Sequence, residues 1–336
     1  MAGFDLNEDE TSYKDVAGVT KHCLQTGVTQ HLPTVVTGSD KRIHHALSVI
    51  AKACDTDETV RNSAVGIHLE GPYISEHDGP RGAHNVKYVC NPDWDQFQRW
   101  QESSGGRITM VTLAPEREGA MSFIAKLAGQ GIVVCLGHTM ASTEQIEQAV
   151  QAGAASSTHL GNGAHPILAR HPNYIWDQLA EDRLYGSFIS DGHHLSFRTL
   201  KAMLRAKGDK AILVSDAVKF AGMSPGEYAS IIIGGNVVLG ANGRLSTKSN
   251  PNILAGSANT IPEGIGNVVQ WTGFSLKDTV DMVTARPAKL MGLDHHGRML
   301  EGFKANLTLF SIQPDGKARV EESVLNGKSA YMASAV

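Results

Sequence analysis

Short β-rich runs alternate along the chain with stretches whose apolar positions recur every three to four residues. The runs are VTQHLPTVV (28–36), AVGIHLEGPY (64–73), ITMVTLAP (108–115), VVCLGHT (133–139), ASSTHLGN (155–162), YGSFISDGHHL (185–195) and AILVSDA (211–217). Between them lie helix candidates such as DKRIHHALSVIAKAC, EGAMSFIAKLAGQG, STEQIEQAVQAG and SFRTLKAMLRAKG. Strands and helices in this alternation predict βαβ units and a parallel sheet. Polar and ionisable residues gather at the C-terminal ends of the runs, as HLEGP, LGHT, THLGN, SDGHH and VSDA. An α/β barrel delivers all such ends to one rim, where its chemistry sits. A doubly wound sheet would favour a glycine-rich phosphate loop after its first strand, and neither GxGxxG nor GxxxxGK[ST] is present. The expected fold is therefore α/β, a (β/α)8-type TIM barrel.

After Asp216 the pattern becomes alternating and glycine-punctuated (EYASIIIGGNVVLGANGRLST), which predicts a hairpin insertion at about 226–248. Helical character returns from Thr260 to Gly292, and the tail reads as two or three antiparallel strands. The predicted division is a barrel over 1–295 and a small β-sheet remnant over 296–336.

Composition narrows the partners. A net charge of -4 with both signs scattered gives no basic stripe for nucleic acid or a membrane surface. The four cysteines show no CxxC spacing, the acidic N-terminus is unlike a signal peptide, and no apolar run is long enough to span a bilayer. A cytoplasmic location is the expectation. The chain carries 15 histidines, the commonest protein metal ligand.

Three strand tips carry ligand-type residues: Glu70, followed by Gly-Pro, then His138 and His159. Any one alone is as readily a buried hydrogen-bonded residue. Three at equivalent positions form a ligand set for one divalent cation with an open position, suited to zinc and acceptable to iron(II) or another first-row ion. Asp216 ends the last run, where a carboxylate beside the cation can act as general acid/base; the alternative for an Asp at such a point is a helix cap. His193 and His194 are neighbours that point to opposite faces, so one of them faces the site. The glycine-rich loop DGPRGAH (78–84) could bring Arg81 and His84 over the cation, or be a loop without function.

The ordered set HLEGPYIS, GAH, VTLAPE, LGHT, THLGNG, SDGHH, VSDA and LAGS, from GFDLNEDE to the terminal NLTLF, resembles the N-acetylglucosamine-6-phosphate deacetylases of the amidohydrolase superfamily. The resemblance implies that Glu70, His138 and His159 bind one metal and that Asp216 moves the proton. It further implies that His84 polarises the acetyl carbonyl beside Ala83, and that Asn162 and Gly163 contact the sugar. Arg170 and His194 would hold the 6-phosphate, within a homodimer in which these two can serve the neighbouring site, and Leu254, Ala255 and Gly256 would close over the substrate. The substrate would be a small amino sugar phosphate. Alternatives are another amide substrate, or a homologue that binds ligand without turning it over. Where the family begins with a small sheet and a first barrel strand, this chain begins at Gly3-Phe4-Asp5, so the barrel is expected to lack its first strand and to leave two edges with unpaired backbone groups. AHPILARHPNYIWDQLAED also departs from the family, and Arg170 matches by spacing alone, with His171, Tyr174 and Trp176 as a different wall or as rim packing.

Overall fold

Seven strands, β1 (Thr34–Val36), β2 (Ile67–Glu70), β3 (Ile108–Leu113), β4 (Val133–Leu136), β5 (Ala154–Ser157), β6 (Tyr185–Ile189) and β7 (Ala211–Val214), pair in parallel and in sequence order in the computed structural model. The structure describes residues 1–230, 235–313 and 318–334. Around the sheet run α1 (Tyr13–Gln25), α2 (Asp40–Thr56), α3 (Glu58–Ser63), α4 (Trp94–Ser103), α5 (Ala120–Gly129), α6 (Thr143–Ala152), α7 (Tyr174–Ala180) and α8 (Phe197–Lys207). Most begin at a side chain that accepts a free backbone N–H of the first turn: Ser39, Asp57, Asp93, Ser142, Asn173 and Ser196. The apolar faces of these helices bury Ile43, Leu47, Trp100 and Phe123 in one core with Val35, Leu69 and Leu136 from the strands.

The first run is longer than its strand. Pro33 has no N–H to give to a ladder, so pairing starts only at Thr34, and His31 meets Ala64 as an isolated bridge.

The arrangement is a partial barrel, with β1 and β7 at its edges. The expectation of unpaired edges is corrected by the structure. At β1 the Asn7 carboxamide does the work of a neighbouring strand: its Nδ2 donates to Thr34 O (2.9 Å) and its Oδ1 accepts from Val36 N (2.8 Å). At β7, Leu213 N donates to Met282 O (3.1 Å) and Arg286 Nη1 donates to Ala211 O (3.1 Å). Residues 1–3 join the two sides, with Ala2 N and Gly3 N donating to Ala221 O and Lys219 O.

Past β7 the chain forms a three-stranded antiparallel sheet of β8 (Gly226–Ser230), β9 (Gly235–Leu239) and β10 (Leu245–Thr247). The single helical stretch read from Thr260 to Gly292 is three helices, α9 (Ile261–Thr272), α10 (Leu276–Asp281) and α11 (Ala285–Leu290). Val268 and Met282 from this region complete a second core with Phe188, Leu200, Leu204 and Leu213. The tail supplies β11 (Leu307–Ile312), β12 (Ala318–Leu325) and β13 (Lys328–Met332). Thr308 and Ser323 anchor this sheet to the C-terminal end of α1 by donating to Gly27 O (2.7 Å) and Leu24 O (2.6 Å). No helix among the described residues is long and apolar enough to cross a membrane.

Candidate metal centre

Three strands end in the same way. His138, His159 and Asp216 each stand two residues beyond the last residue of β4, β5 and β7, and each has a positive φ of 51°, 30° and 48°. That conformation is costly for residues with a Cβ and persists where surrounding structure enforces it, most often at functional sites. Glu70 is the last residue of β2. The turn at each tip swings the side chain from the barrel wall over its mouth.

The side chains converge. His138 Nε2 lies 3.0 Å and His159 Nε2 3.1 Å from Glu70 Oε1, and the two nitrogens are 3.1 Å apart. His84 approaches from the 78–84 loop, with Nε2 3.2 Å from His138 Nε2 and 3.9 Å from Glu70 Oε1. Glu70, His138 and His159 are each less than a tenth exposed.

Backbone groups hold this cluster. His138 Nδ1 donates to Pro80 O (2.9 Å), and a carbonyl only accepts, so the proton sits on Nδ1 and the Nε2 lone pair faces Glu70. Gly163 lies against the same imidazole, and a Cβ there would meet Nδ1 at 2.7 Å. Glu116, from the LAPE segment, accepts from Met140 N (2.8 Å) and from the Thr139 hydroxyl, fixing the turn after His138. His159 Nδ1 is buried and has no partner among the described residues.

A carboxylate oxygen and two imidazole nitrogens at 3.0–3.1 Å repel one another unless positive charge lies between them. Without a metal that charge is a proton. Burial disfavours the His159 imidazolium, but the hydrogen bond and charge of Glu70 prevail and push it up to about 9. Burial likewise opposes the Glu70 carboxylate, and the hydrogen bond and charge of His159 overcome it, holding the group well below the usual range. Burial pushes His84 down to about 3. Asp216 is raised by burial; His159 opposes and Glu70 adds to the shift. Replacing the proton by a divalent cation satisfies the same donor set: ligand atoms about 3.3 Å apart are what tetrahedral bonds of about 2.0–2.1 Å require. The residues present fit a metal. The grouping Glu70, His84 and His138 also meets the spacing a metal needs, so geometry alone leaves His84 as ligand or neighbour.

The remaining sequence-derived residues fall in two sets. Asn162 is tied into the site by donating from Nδ2 to His159 O (3.2 Å), and the strap Leu254–Ala255–Gly256 runs beside the Asp216 turn, where Ser257 N donates to Asp216 O (3.3 Å). His194 Nδ1 donates to Asp191 Oδ2 (2.6 Å), while His193 donates to Asn242 O (3.1 Å) in the inserted sheet. Ala83 is exposed. Arg170 is not brought to the cluster; it is exposed, and its guanidinium has no partner among the described residues. Of the aromatic residues beside it, Tyr174 is buried and its OH accepts from His165 N (2.8 Å), whereas Trp176 is 55% exposed. Sequence reading passed over Thr37 and Asp191. Thr37 directly follows β1 and Asp191 stands two residues beyond β6, and the rim rule applied to every residue type would have found them.

Relatives of this chain agree with the geometry. The model of the amidohydrolase family matches residues 4–331. N-acetylglucosamine-6-phosphate deacetylase of Danio rerio is 32% identical, with 98% of this chain and 81% of that protein covered. The Lysinibacillus sphaericus enzyme of the same name is 31% identical over 85% of this chain and 72% of its own length. Among solved structures, N-acetylglucosamine-6-phosphate deacetylase from Pasteurella multocida superposes with a TM-score of 0.86 at 30% identity, covering 98% of this chain and 82% of that one. The chain belongs to the amidohydrolase family and, within it, to the N-acetylglucosamine-6-phosphate deacetylase family.

Proposed function

We propose that this chain hydrolyses the acetamido group of N-acetyl-D-glucosamine 6-phosphate, or a close N-acetyl-hexosamine 6-phosphate, to acetate and the amino sugar phosphate. The observation that carries the reading is the convergence of Glu70, His138 and His159 within 3.1 Å, beside an Asp216 whose turn is built like theirs. Glu70, His138 and His159 would hold one divalent cation, zinc being the first candidate for a donor set of two imidazoles and a carboxylate. When bound, the cation supplies Lewis acidity, activating water near neutral pH and polarising an amide oxygen.

The protein's side chains do the rest. The Asp216 carboxylate takes a proton from the attacking water and returns it to the 2-amino group as the C–N bond breaks. His84 donates to the acetyl oxygen as negative charge gathers there. Asn162 and Gly163 are read as contacts to the sugar, with the strap at Leu254, Ala255 and Gly256 closing over it. Arg170 and His194 are read as the phosphate's partners, within one site or across a homodimer.

The test is acetate release by the metal-loaded protein from N-acetylglucosamine 6-phosphate, its galactosamine epimer and the unphosphorylated sugar. Turnover of the first, with Asp216→Asn inactive, supports the reading. The epimer is included because an N-acetylgalactosamine-6-phosphate deacetylase of Escherichia coli O157:H7 is 30% identical. No release from either phosphorylated sugar would refute the proposal.

A further inference from the structure

His84 stands close enough to the cluster to be a fourth ligand or a hydrogen-bond donor, and the two roles need different tautomers. A ligand needs a bare Nε2 with the proton on Nδ1; a donor needs the proton on Nε2. The group that faces Nδ1 decides between them, and that group is the Thr37 hydroxyl, 2.8 Å away.

Thr37 follows β1 directly and is buried. Its N–H donates to Glu70 O at 3.0 Å, and its Oγ1 is 3.5 Å from the same carbonyl. Gly71 lies against the hydroxyl so closely that any Cβ there would overlap Oγ1. The hydroxyl is thus fixed between the backbone of one proposed metal ligand and the ring of His84. The 2.8 Å bond to His84 Nδ1 forms in either direction, the hydroxyl donating to the ring, or accepting from it while its own proton turns to Glu70 O at the limit of a hydrogen bond. The other nitrogen of the ring settles which.

The rest of the network fixes the polarity. Pro80 O can only accept, so His138 carries its proton on Nδ1 and offers a lone pair at Nε2. With His138 in that form, the 3.2 Å contact between the two Nε2 atoms is a hydrogen bond only if His84 donates. His84 Nε2–H then leaves Nδ1 as acceptor, and the Thr37 hydroxyl as its donor.

We infer that Thr37 is a positioning residue that selects the Nε2–H tautomer of His84, making His84 a donor to the substrate's acetyl oxygen and keeping it out of the metal's ligand set. The inference rests on the deacetylase reading proposed above. A cation held by the His138 lone pair would leave the His84 N–H free to donate to the acetyl oxygen. The Thr37 hydroxyl does no chemistry itself.

The test compares Thr37→Val, which keeps the shape and removes the hydroxyl, with Thr37→Ser, which restores the hydroxyl. Both are measured as zinc-loaded full-length protein for metal content, melting temperature, kcat and KM on N-acetylglucosamine 6-phosphate, and for ring-nitrogen signals of 15N-histidine, with His84→Asn used to assign the His84 signals. Thr37→Val is expected to keep one zinc and a parental KM while kcat falls at least tenfold, and to lose less on the N-trifluoroacetyl substrate, whose carbonyl needs less polarising. Thr37→Ser should stay within about threefold of the parent. The parent's His84 should show a protonated Nε2, absent in Thr37→Val. A Thr37→Val protein with parental kcat, a Thr37→Ser protein as impaired as Thr37→Val, zinc lost in His84→Asn, or a bare Nε2 on His84 in the parent each overturn the inference. Should the parent release no acetate at all, the deacetylase reading fails on its own while the ring-nitrogen signals still report the tautomer.

Discussion

Around Glu70, three imidazoles lie within 3.9 Å of one carboxylate oxygen and are fixed by strand tips and by groups such as Pro80 O, Glu116 and Thr37; Arg170, by contrast, sits exposed on the 163–173 loop with no partner for its guanidinium among the described residues. The corner proposed for the metal is finished before any ligand arrives. The corner assigned to phosphate is not, and its neighbour Ile167 is 87% exposed. The difference follows from what each corner must do. Lone pairs and a carboxylate brought together at 3 Å cannot be assembled afterwards at low cost, because each group's desolvation has to be repaid by geometry already in place. An arginine that recognises a dianion can wait in water and be ordered by its ligand or by a second copy of the chain.

The sharpest way to break this contrast is to remove the cation. Chelation should take acetate release to background while the fold persists, since Glu70 and His159 keep a proton between them in its absence; stoichiometric zinc or iron(II) should restore activity without refolding. Loss of the folded circular-dichroism spectrum on chelation would show that the corner is not pre-built. Next in size is Asp216→Asn, expected to lower kcat about 10²–10⁴-fold, the usual range for a general acid/base, with cation content unchanged. A variant that loses its cation as well would place Asp216 in the ligand set.

The metal corner was also the legible one. Glu70, His138, His159 and Asp216 could be read from the sequence because parallel strands put every C-terminal tip on one rim, so four separated motifs reduce to one place. The seven strands were visible for the same reason. What the pattern did not carry was the partner of each group. Asn7 acting as a strand neighbour for β1, Met282 O meeting Leu213, and Thr37 touching His84 are contacts between residues 29, 69 and 47 positions apart, set by packing that has no periodic trace. The helical stretch after Thr260 read as one element because its interruptions near Gly273 and Met282 are tertiary turns inside an otherwise helical composition. His84 stayed undecided in the sequence since a glycine-rich loop fixes no direction for its side chains.

On the open corner the effects should be smaller and confined to the phosphate. Arg170→Ala is expected to cut kcat/KM for the 6-phosphate by roughly ten- to a hundredfold, the worth of one charge-assisted hydrogen bond, through KM with kcat nearly unchanged. Turnover of the unphosphorylated sugar should not move. An equal loss on both sugars would mean that Arg170 shapes the loop and does not recognise the phosphate.

The finest distinction concerns Asp191, which makes His194 the one pre-built element of that corner. Asp191 Oδ1 accepts the N–H groups of His193 and His194, and its Oδ2 takes His194 Nδ1–H; burial would raise this carboxyl, but the His194 hydrogen bond holds it low. With Nδ1–H committed to Asp191, His194 can offer a second N–H from Nε2 only as the imidazolium. Asp191→Asn keeps an oxygen for the two backbone N–H groups but turns an NH2 toward the ring, so Nδ1 becomes the acceptor and neutral His194 carries its proton on Nε2. The variant should therefore change KM for the phosphorylated sugar by a few-fold, with kcat and the unphosphorylated sugar unaffected. The ratio of KM between variant and parent, taken on the phosphorylated and the unphosphorylated sugar, is the measurement, because a general disturbance of the loop moves both; a ratio of one on the phosphorylated sugar would remove His194 from phosphate recognition.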